Sequence, residues 1–238
     1  MKIAILDDYT HHATTLADWS DLGDVTVFHD TITNHDALVA RLSPFDVICV
    51  MRERTPLPAA LIRVLPRLRL VVTSGPRNAS IDLAAANECG VVVCGTQSRK
   101  TTTSELAVLM MLALNRQLMT EVATLNAGGW QNGLGRDLAG LRLGLIGLGN
   151  IGAQMATFGK AFGMEVSAWS ANLTDSRCDE LGVTRAATLH DLMACADVVS
   201  VHLVLSDRTH GLVDAAAFAA MKPGAVYLNT SRAGIHDT

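Results

Sequence analysis

The sequence predicts an α/β protein of two lobes, and three observations carry that expectation. Short apolar runs alternate with helical stretches through the first hundred residues. A second series of the same kind begins at Leu141. Between them, Thr101–Ala127 reads as one long helix. In the first series, Lys2–Leu6, Val25–Phe28, Val47–Val50, Leu70–Thr73 and Val91–Cys94 are expected strands. They are continuously apolar, as parallel strands covered on both faces are. Helical stretches near His11–Trp19, Asn34–Leu42, Pro58–Val64 and Asp82–Cys89 separate them. The long helix contains no proline. Thr101, Thr102, Thr103 or Ser104 can cap its start, Glu105 suits its first turn, and Gly128-Gly129 stops it. The polar loop QNGLGRDLAG follows. Strands are then expected near Arg142–Ile146, Val166–Trp169, Val198–Leu203 and Ala225–Leu228. This assigns residues 1–100 to one domain, 101–127 to a connecting helix and 128–238 to a second domain.

Composition narrows the function classes. Of 238 residues, 49% are hydrophobic and 18% charged, enough for a sizeable core and too apolar for disorder. The net charge of −4, without runs of like charge, gives no footprint for nucleic acid or an anionic membrane. Cys49, Cys89, Cys94, Cys178 and Cys195 are odd in number and form no Cys-x-x-Cys pair, which fits buried, reduced thiols in a cytoplasmic protein. MKIAILDDYT has none of the marks of a signal peptide. The longest apolar stretch, Leu106–Leu114, is about half of what a membrane span needs. The histidines, His11 and His12 among them, show no metal-ligand spacing with cysteines or acids.

The chemistry starts at LRLGLIGLGNIGAQMATFGKAFGMEVSAWS, which holds Gly147-x-Gly149-x-x-Gly152 between a strand and a helix, with another strand after it. Gly147 permits the tight turn. Gly149 lets peptide N–H groups approach a pyrophosphate. Gly152 lets helix and strand pack closely. The helix starting near Asn150 and Ile151 offers free N–H donors and partial positive charge. A tight turn that binds nothing is the bland alternative, and it leaves three glycines unneeded. The strand after such a turn ends in a carboxylate when the site selects NAD. Here that position is the neutral Ser170, and the nearest arginine downstream, Arg177, is seven residues further on, so NAD and NADP both remain open.

Five stretches together resemble the D-isomer-specific 2-hydroxyacid dehydrogenases, the family that includes D-3-phosphoglycerate dehydrogenases. They are TSGPRNASIDLAAANECGVVVCGT, TTTSELAVLMMLALNR, LAGLRLGLIGLGNIG, ADVVSVHLVLSDRTHGLV and MKPGAVYLNTSRAG. The glycine fingerprint alone occurs in many dehydrogenases; its combination with MKPG and NTSR is far more specific. The resemblance implies a flavodoxin-like substrate domain and a Rossmann-type cofactor domain, with the active site in a cleft between them. The Rossmann domain would be incomplete at its C-terminal part. The implied reaction is hydride transfer between NAD or NADP and a 2-oxo or 2-hydroxy acid.

By the same resemblance, the substrate carboxylate meets backbone N–H groups near Ser74 and Gly75. PRNAS departs from the family's commoner, shorter loop there; Arg77 either pairs with an acidic substrate group or is an exposed loop residue. Arg232 matches the arginine that holds the 2-oxo acid, a role suited to a planar, permanently charged guanidinium; the alternative is a surface ion pair. Thr230 and Ser231 fall near the nicotinamide end of the cofactor, and so does Thr103. His202 falls near the cofactor in a mainly supporting role, with Val204 where the family commonly has proline. His236 reads as a loop histidine rather than a base.

The family's proton donor is a histidine in a later Pro-His segment, with a glutamate before it. The sequence stops six residues beyond Arg232, so both are expected to be absent, as are the last strands of the sheet. Losing a general acid costs about 10²–10⁴-fold in rate, so the 238-residue chain is expected to be a poor catalyst by itself. The alternative is a non-catalytic dinucleotide-binding protein or a gene fragment. The family also implies a possible homodimer.

Overall fold

The computed structural model describes residues 1–99 and 101–237. The chain divides into two compact units, Met1–Ser98 and Arg99–Thr238. The first comprises β1 (Lys2–Ile5), α1 (Ala13–Leu16), β2 (Asp24–Val27), α2 (His35–Leu42), β3 (Val47–Val50), α3 (Ala59–Ile62), β4 (Leu70–Thr73), α4 (Leu83–Glu88) and β5 (Val92–Gly95). All its strand pairs are parallel, in the order β2-β1-β3-β4-β5. Its core joins Leu42, Ile48, Leu61, Ile62 and Val71, all nearly fully buried. Side-chain caps start two of the helices: Asn34 accepts from the Ala37 N–H and Asp82 from the Ala85 N–H. The helix expected over His11–Trp19 is only the single turn Ala13–Leu16, which buries no residue.

The second unit contains α5 (Thr102–Asn115), α6 (Leu118–Asn126), β6 (Arg142–Ile146), α7 (Asn150–Ala161), β7 (Glu165–Trp169), α8 (Asp175–Leu181), β8 (Thr184–Arg185), α9 (Leu189–Cys195), β9 (Val198–Val201), α10 (Ala215–Ala219) and β10 (Val226–Asn229). Its parallel sheet runs β10-β9-β6-β7-β8. The chain builds outward from β6 through β7 to β8, then crosses back to β9 and β10. The order therefore reverses between β6 and β9, and in open α/β sheets ligands bind beyond the carboxyl ends of strands at such a reversal. Alternate residues divide the core between the sheet's two faces. Leu143, Leu145, Val198 and Leu228 pack on one side with Met155 of α7 and Ala107 and Met111 of α5. Ile146, Val199 and Val201 pack on the other with Leu192 and Met193 of α9.

The single helix expected over 101–127 is corrected to two helices, bent by 64° at their junction. Gln117 adopts the left-handed conformation (φ 54°, ψ 32°), which ends one helix and redirects the next. Among the described residues no single helix is long and apolar enough to cross a membrane.

Candidate functional site

The glycine turn sits at the carboxyl end of β6. Gly147 has φ 101°, a region open to glycine, and its N–H donates to the Trp169 carbonyl at 2.8 Å. A Cβ on Gly147 would lie 2.7 Å from the His202 carbonyl oxygen, so the turn is pressed against the end of β9. A Cβ on Gly152 would overlap the Gly147 carbonyl oxygen. At Gly149 the space is open: no atom lies within 4 Å of a Cβ placed there. Gly149 is also the N-cap of α7 and brings no side-chain cap, whereas Thr174, Thr188 and Asp214 cap α8, α9 and α10. The first intrahelical bond of α7 runs from the Ala153 N–H to the Gly149 carbonyl at 2.9 Å. The N–H groups of Asn150, Ile151 and Gly152 thus precede the helical ladder, uncapped and backed by the helix dipole. This concave, side-chain-free cradle fits a pyrophosphate.

A second group lies on β9 and β10, which pair in register with Leu228 opposite Ser200. Alternation puts Ser200, His202, Leu228 and Thr230 on one face. Ser200 Oγ, both ring nitrogens of His202 and Thr230 Oγ1 are buried and lack a hydrogen-bond partner. Burial lowers the His202 pKa to about 4, so the ring is neutral at pH 7. Buried polar atoms normally have partners. Of these residues, His202 lies against Gly147, and its unpartnered ring fits a polar ligand group arriving there.

Arg232 follows β10 and is half-buried, in extended conformation (φ −141°, ψ 140°). Asn229 shapes its turn: Asn229 Oδ1 accepts from the Ser231 N–H at 2.9 Å, and Nδ2 donates to the Arg232 carbonyl at 2.9 Å. Arg232 Nη1 donates to the Ser231 carbonyl at 2.9 Å. The Ser231 hydroxyl donates to the Val201 carbonyl at 3.0 Å, which ties this turn to β9. His236 lies 3.1 Å from Asn229 Nδ2 through its Nδ1 and packs edge-on against Tyr227 and Phe218, a supporting position.

Thr103 is half-buried in the first turn of α5. Next to it, the buried Ser104 donates to Gln154 Oε1 of α7 at 2.7 Å, holding the start of α5 against the first turns of α7. Ser170 follows β7 and is half-buried; its carbonyl accepts from the Leu173 N–H at 3.1 Å. Sequence reasoning missed the return of Arg177. Its Nε donates to the Leu148 carbonyl inside the glycine turn at 3.4 Å, and its Nη1 to Glu180 at 2.7 Å. Thr174 caps α8 by accepting from the Arg177 N–H, so Arg177 occupies the helix's first turn.

In the first unit, the amides of Ser74 and Gly75, near which a substrate carboxylate is expected, are hydrogen-bonded within the fold. The Ser74 N–H donates to the Val50 carbonyl at 3.0 Å, prolonging the β3–β4 ladder, and the Gly75 N–H donates to Thr96 Oγ1 at 2.8 Å. What lies against Gly75 is the Arg52 guanidinium, which occupies the space a Cβ would need. The Arg52 N–H donates to Ser74 Oγ at 3.1 Å. Arg77 is exposed, and Asn78 buttresses the longer loop through Thr73 Oγ1 at 3.1 Å and the Ser80 N–H at 2.9 Å. Among the described residues no group of three or more His, Cys, Asp or Glu could hold a metal ion.

The family model for "D-isomer specific 2-hydroxyacid dehydrogenase, NAD binding domain" matches residues 108–238. D-3-phosphoglycerate dehydrogenase of Mycobacterium tuberculosis is 32% identical over 207 residues, covering 86% of this chain and 39% of that protein. The chain thus spans about two fifths of the length of the first curated relatives it matches. A phosphoglycerate oxidoreductase from Vibrio cholerae superposes with a TM-score of 0.94 at 39% identity, covering 100% of this chain and 78% of that one. A Ralstonia solanacearum protein described as a putative D-3-phosphoglycerate dehydrogenase oxidoreductase gives 0.92 at 33% identity, covering 100% and 75%. The uncapped glycine cradle, the parallel sheet reversing beside it and a family match over more than half of the chain agree: the chain belongs to the D-isomer specific 2-hydroxyacid dehydrogenase family and carries its NAD-binding domain.

Proposed function

We propose that this chain provides the nucleotide site and a substrate-orienting arginine for an NAD(P)-dependent oxidoreductase of 2-oxo and D-2-hydroxy acids. The observation that carries the reading is the cradle of Gly147, Gly149 and Gly152 at the uncapped start of α7. In this reading the N–H groups of Asn150, Ile151 and Gly152 hold the pyrophosphate, and Ser170 meets the adenosine ribose. His202 and Thr230, whose buried polar atoms lack partners, meet the nicotinamide end together with Thr103. The bound dinucleotide supplies or accepts the hydride. Arg232, on a turn braced by Asn229 and Ser231, grips the carboxylate and carbonyl oxygens of a 2-oxo acid, and fixing that geometry lowers the entropic part of the barrier.

A second reading rests on His202. Reduction of a carbonyl leaves an alkoxide that needs a proton, and a donor works best with a pKa near the operating pH. His202, lowered to about 4, is already neutral at pH 7 and serves as a hydrogen-bonding group, not as that donor. This supports the alternative of a non-catalytic dinucleotide-binding chain. A homodimer is also proposed, because α6 and the loop after it leave Leu118, Met119, Leu125, Trp130 and Leu134 exposed.

Titration of the full chain with NADH and NADPH tests the site, and oxidation of either with a panel of short 2-oxo acids tests the reaction. Micromolar binding with measurable oxidation supports the dehydrogenase. Binding without oxidation at any pH supports the second reading. Absence of binding to both nucleotides at millimolar concentration overturns the proposal.

A further inference from the structure

The end of β7 and the start of α8 together carry a property that the fold alone leaves open. Residues 170–174, directly after β7, are Ser-Ala-Asn-Leu-Thr, without a charge. No carboxylate stands there to accept both ribose hydroxyls or to repel a phosphate. A positive charge arrives instead from α8. The half-buried Arg177 turns its Nε onto the Leu148 carbonyl, the residue between Gly147 and Gly149, and so holds its guanidinium at the cradle on the β7 side. Nη1 pairs with the exposed Glu180, while Nη2 carries no hydrogen bond among the described residues. Exposed pairs of this kind are weak and easily shared. Of the other acids of α8, Asp175 and Asp179, the first is paired with Arg185 at 3.0 Å. The side chains of Ser170 and Asn172 also carry no hydrogen bond among the described residues.

We infer that the chain prefers NADP over NAD, and that Arg177 is the residue that selects it by receiving the 2′-phosphate of the adenosine ribose, with Ser170 beside it. The inference rests on the nucleotide-binding reading above. A guanidinium offers a phosphate two N–H donors in a fixed fork, whereas a ribose hydroxyl gains little from it. Glu180 then acts as a competitor: it holds the guanidinium when no phosphate is present and releases it when one binds.

The experiment is a fluorescence or calorimetric titration of the full chain with NADPH and with NADH. The unaltered protein should bind NADPH at least about tenfold more tightly, a difference of about 1.4 kcal/mol. Arg177→Ala should remove that preference, and an unchanged far-ultraviolet circular dichroism spectrum shows that the variant is folded. Glu180→Gln should raise the preference for NADPH, an increase that unfolding cannot produce. Ser170→Asp should reverse the preference toward NADH by electrostatic repulsion. Equal or tighter NADH binding by the unaltered protein overturns the inference but leaves the nucleotide site standing. A preference for NADPH that survives Arg177→Ala overturns the role of Arg177. Binding of neither nucleotide overturns the parent reading and this one with it.

Discussion

Gly152 packs so tightly on Gly147 that a Cβ on the first would overlap the carbonyl oxygen of the second. Backbone cannot retreat there as a flexible side chain could, because the Gly147 N–H is bound to Trp169 and the space a Gly147 Cβ would need is filled by the His202 carbonyl. Gly152→Ala should therefore displace the start of α7. We expect a loss of stability of about 1–3 kcal/mol, the usual cost of overpacking, and at least a tenfold loss of nucleotide affinity. Thermal unfolding and titration with NADPH measure the two effects separately.

Gly149 provides the contrast. Its φ of −78° suits any residue, and nothing lies within 4 Å of a Cβ placed there. Gly149→Ala should cost less than about 1 kcal/mol in stability, the scale of an altered N-cap. It should nevertheless weaken nucleotide binding strongly, because the new methyl group occupies the approach of the pyrophosphate. Unchanged affinity in a folded Gly149→Ala variant would place the pyrophosphate elsewhere.

How far this site was legible depends on the range of the interactions that form it. The strands of both sheets are continuous apolar runs, and Gly147, Gly149 and Gly152 lie within six residues of one another, so local pattern suffices to find them. Gln117 carries no turn signal, and its left-handed conformation was hidden inside an unbroken helical pattern. The Gly75 N–H is taken by Thr96, and the Arg52 guanidinium covers Gly75; both partners are more than twenty residues away in sequence. Arg177 looked too distant from the end of β7. The Thr174 cap starts α8 early enough to turn it back onto Leu148, a consequence of folding rather than of spacing. The two-residue strand β8 is too short to leave a periodic trace.

His202 makes stability depend on pH. Its pKa in the folded protein is about 4, below the ordinary value of 6.5, because burial disfavours the charged ring. Between those values the unfolded chain binds a proton that the folded chain does not. The stabilising contribution is therefore complete above pH 6.5 and is lost as the pH falls toward 4. A shift of this size corresponds to roughly 3 kcal/mol at most. Urea unfolding at pH 7 and pH 5 should show a fall in stability that is smaller in His202→Gln, which does not titrate. An equal fall in both proteins would assign the pH dependence to other groups.

Asn229 gives the last prediction. Its amide oxygen accepts from the Ser231 N–H, and its amide nitrogen donates to the Arg232 carbonyl and faces His236 Nδ1. It is the joint between the end of β10 and the turn that presents Arg232. Asn229→Ala leaves one donor and one acceptor of a part-buried backbone without partners, at about 1–3 kcal/mol in stability. The cradle around Gly149 is built by β6 and α7 and does not depend on this joint. Nucleotide affinity should hence fall by less than about threefold, while any oxidation of NADPH by a 2-oxo acid should fall by at least tenfold, since Arg232 loses its fixed geometry. Asn229→Asp keeps the acceptor for Ser231 but not the donor to Arg232, and should lie between the two. If Asn229→Ala instead weakened nucleotide binding by more than about tenfold and left the oxidation per bound nucleotide intact, the turn would belong to the cofactor rather than to the acid.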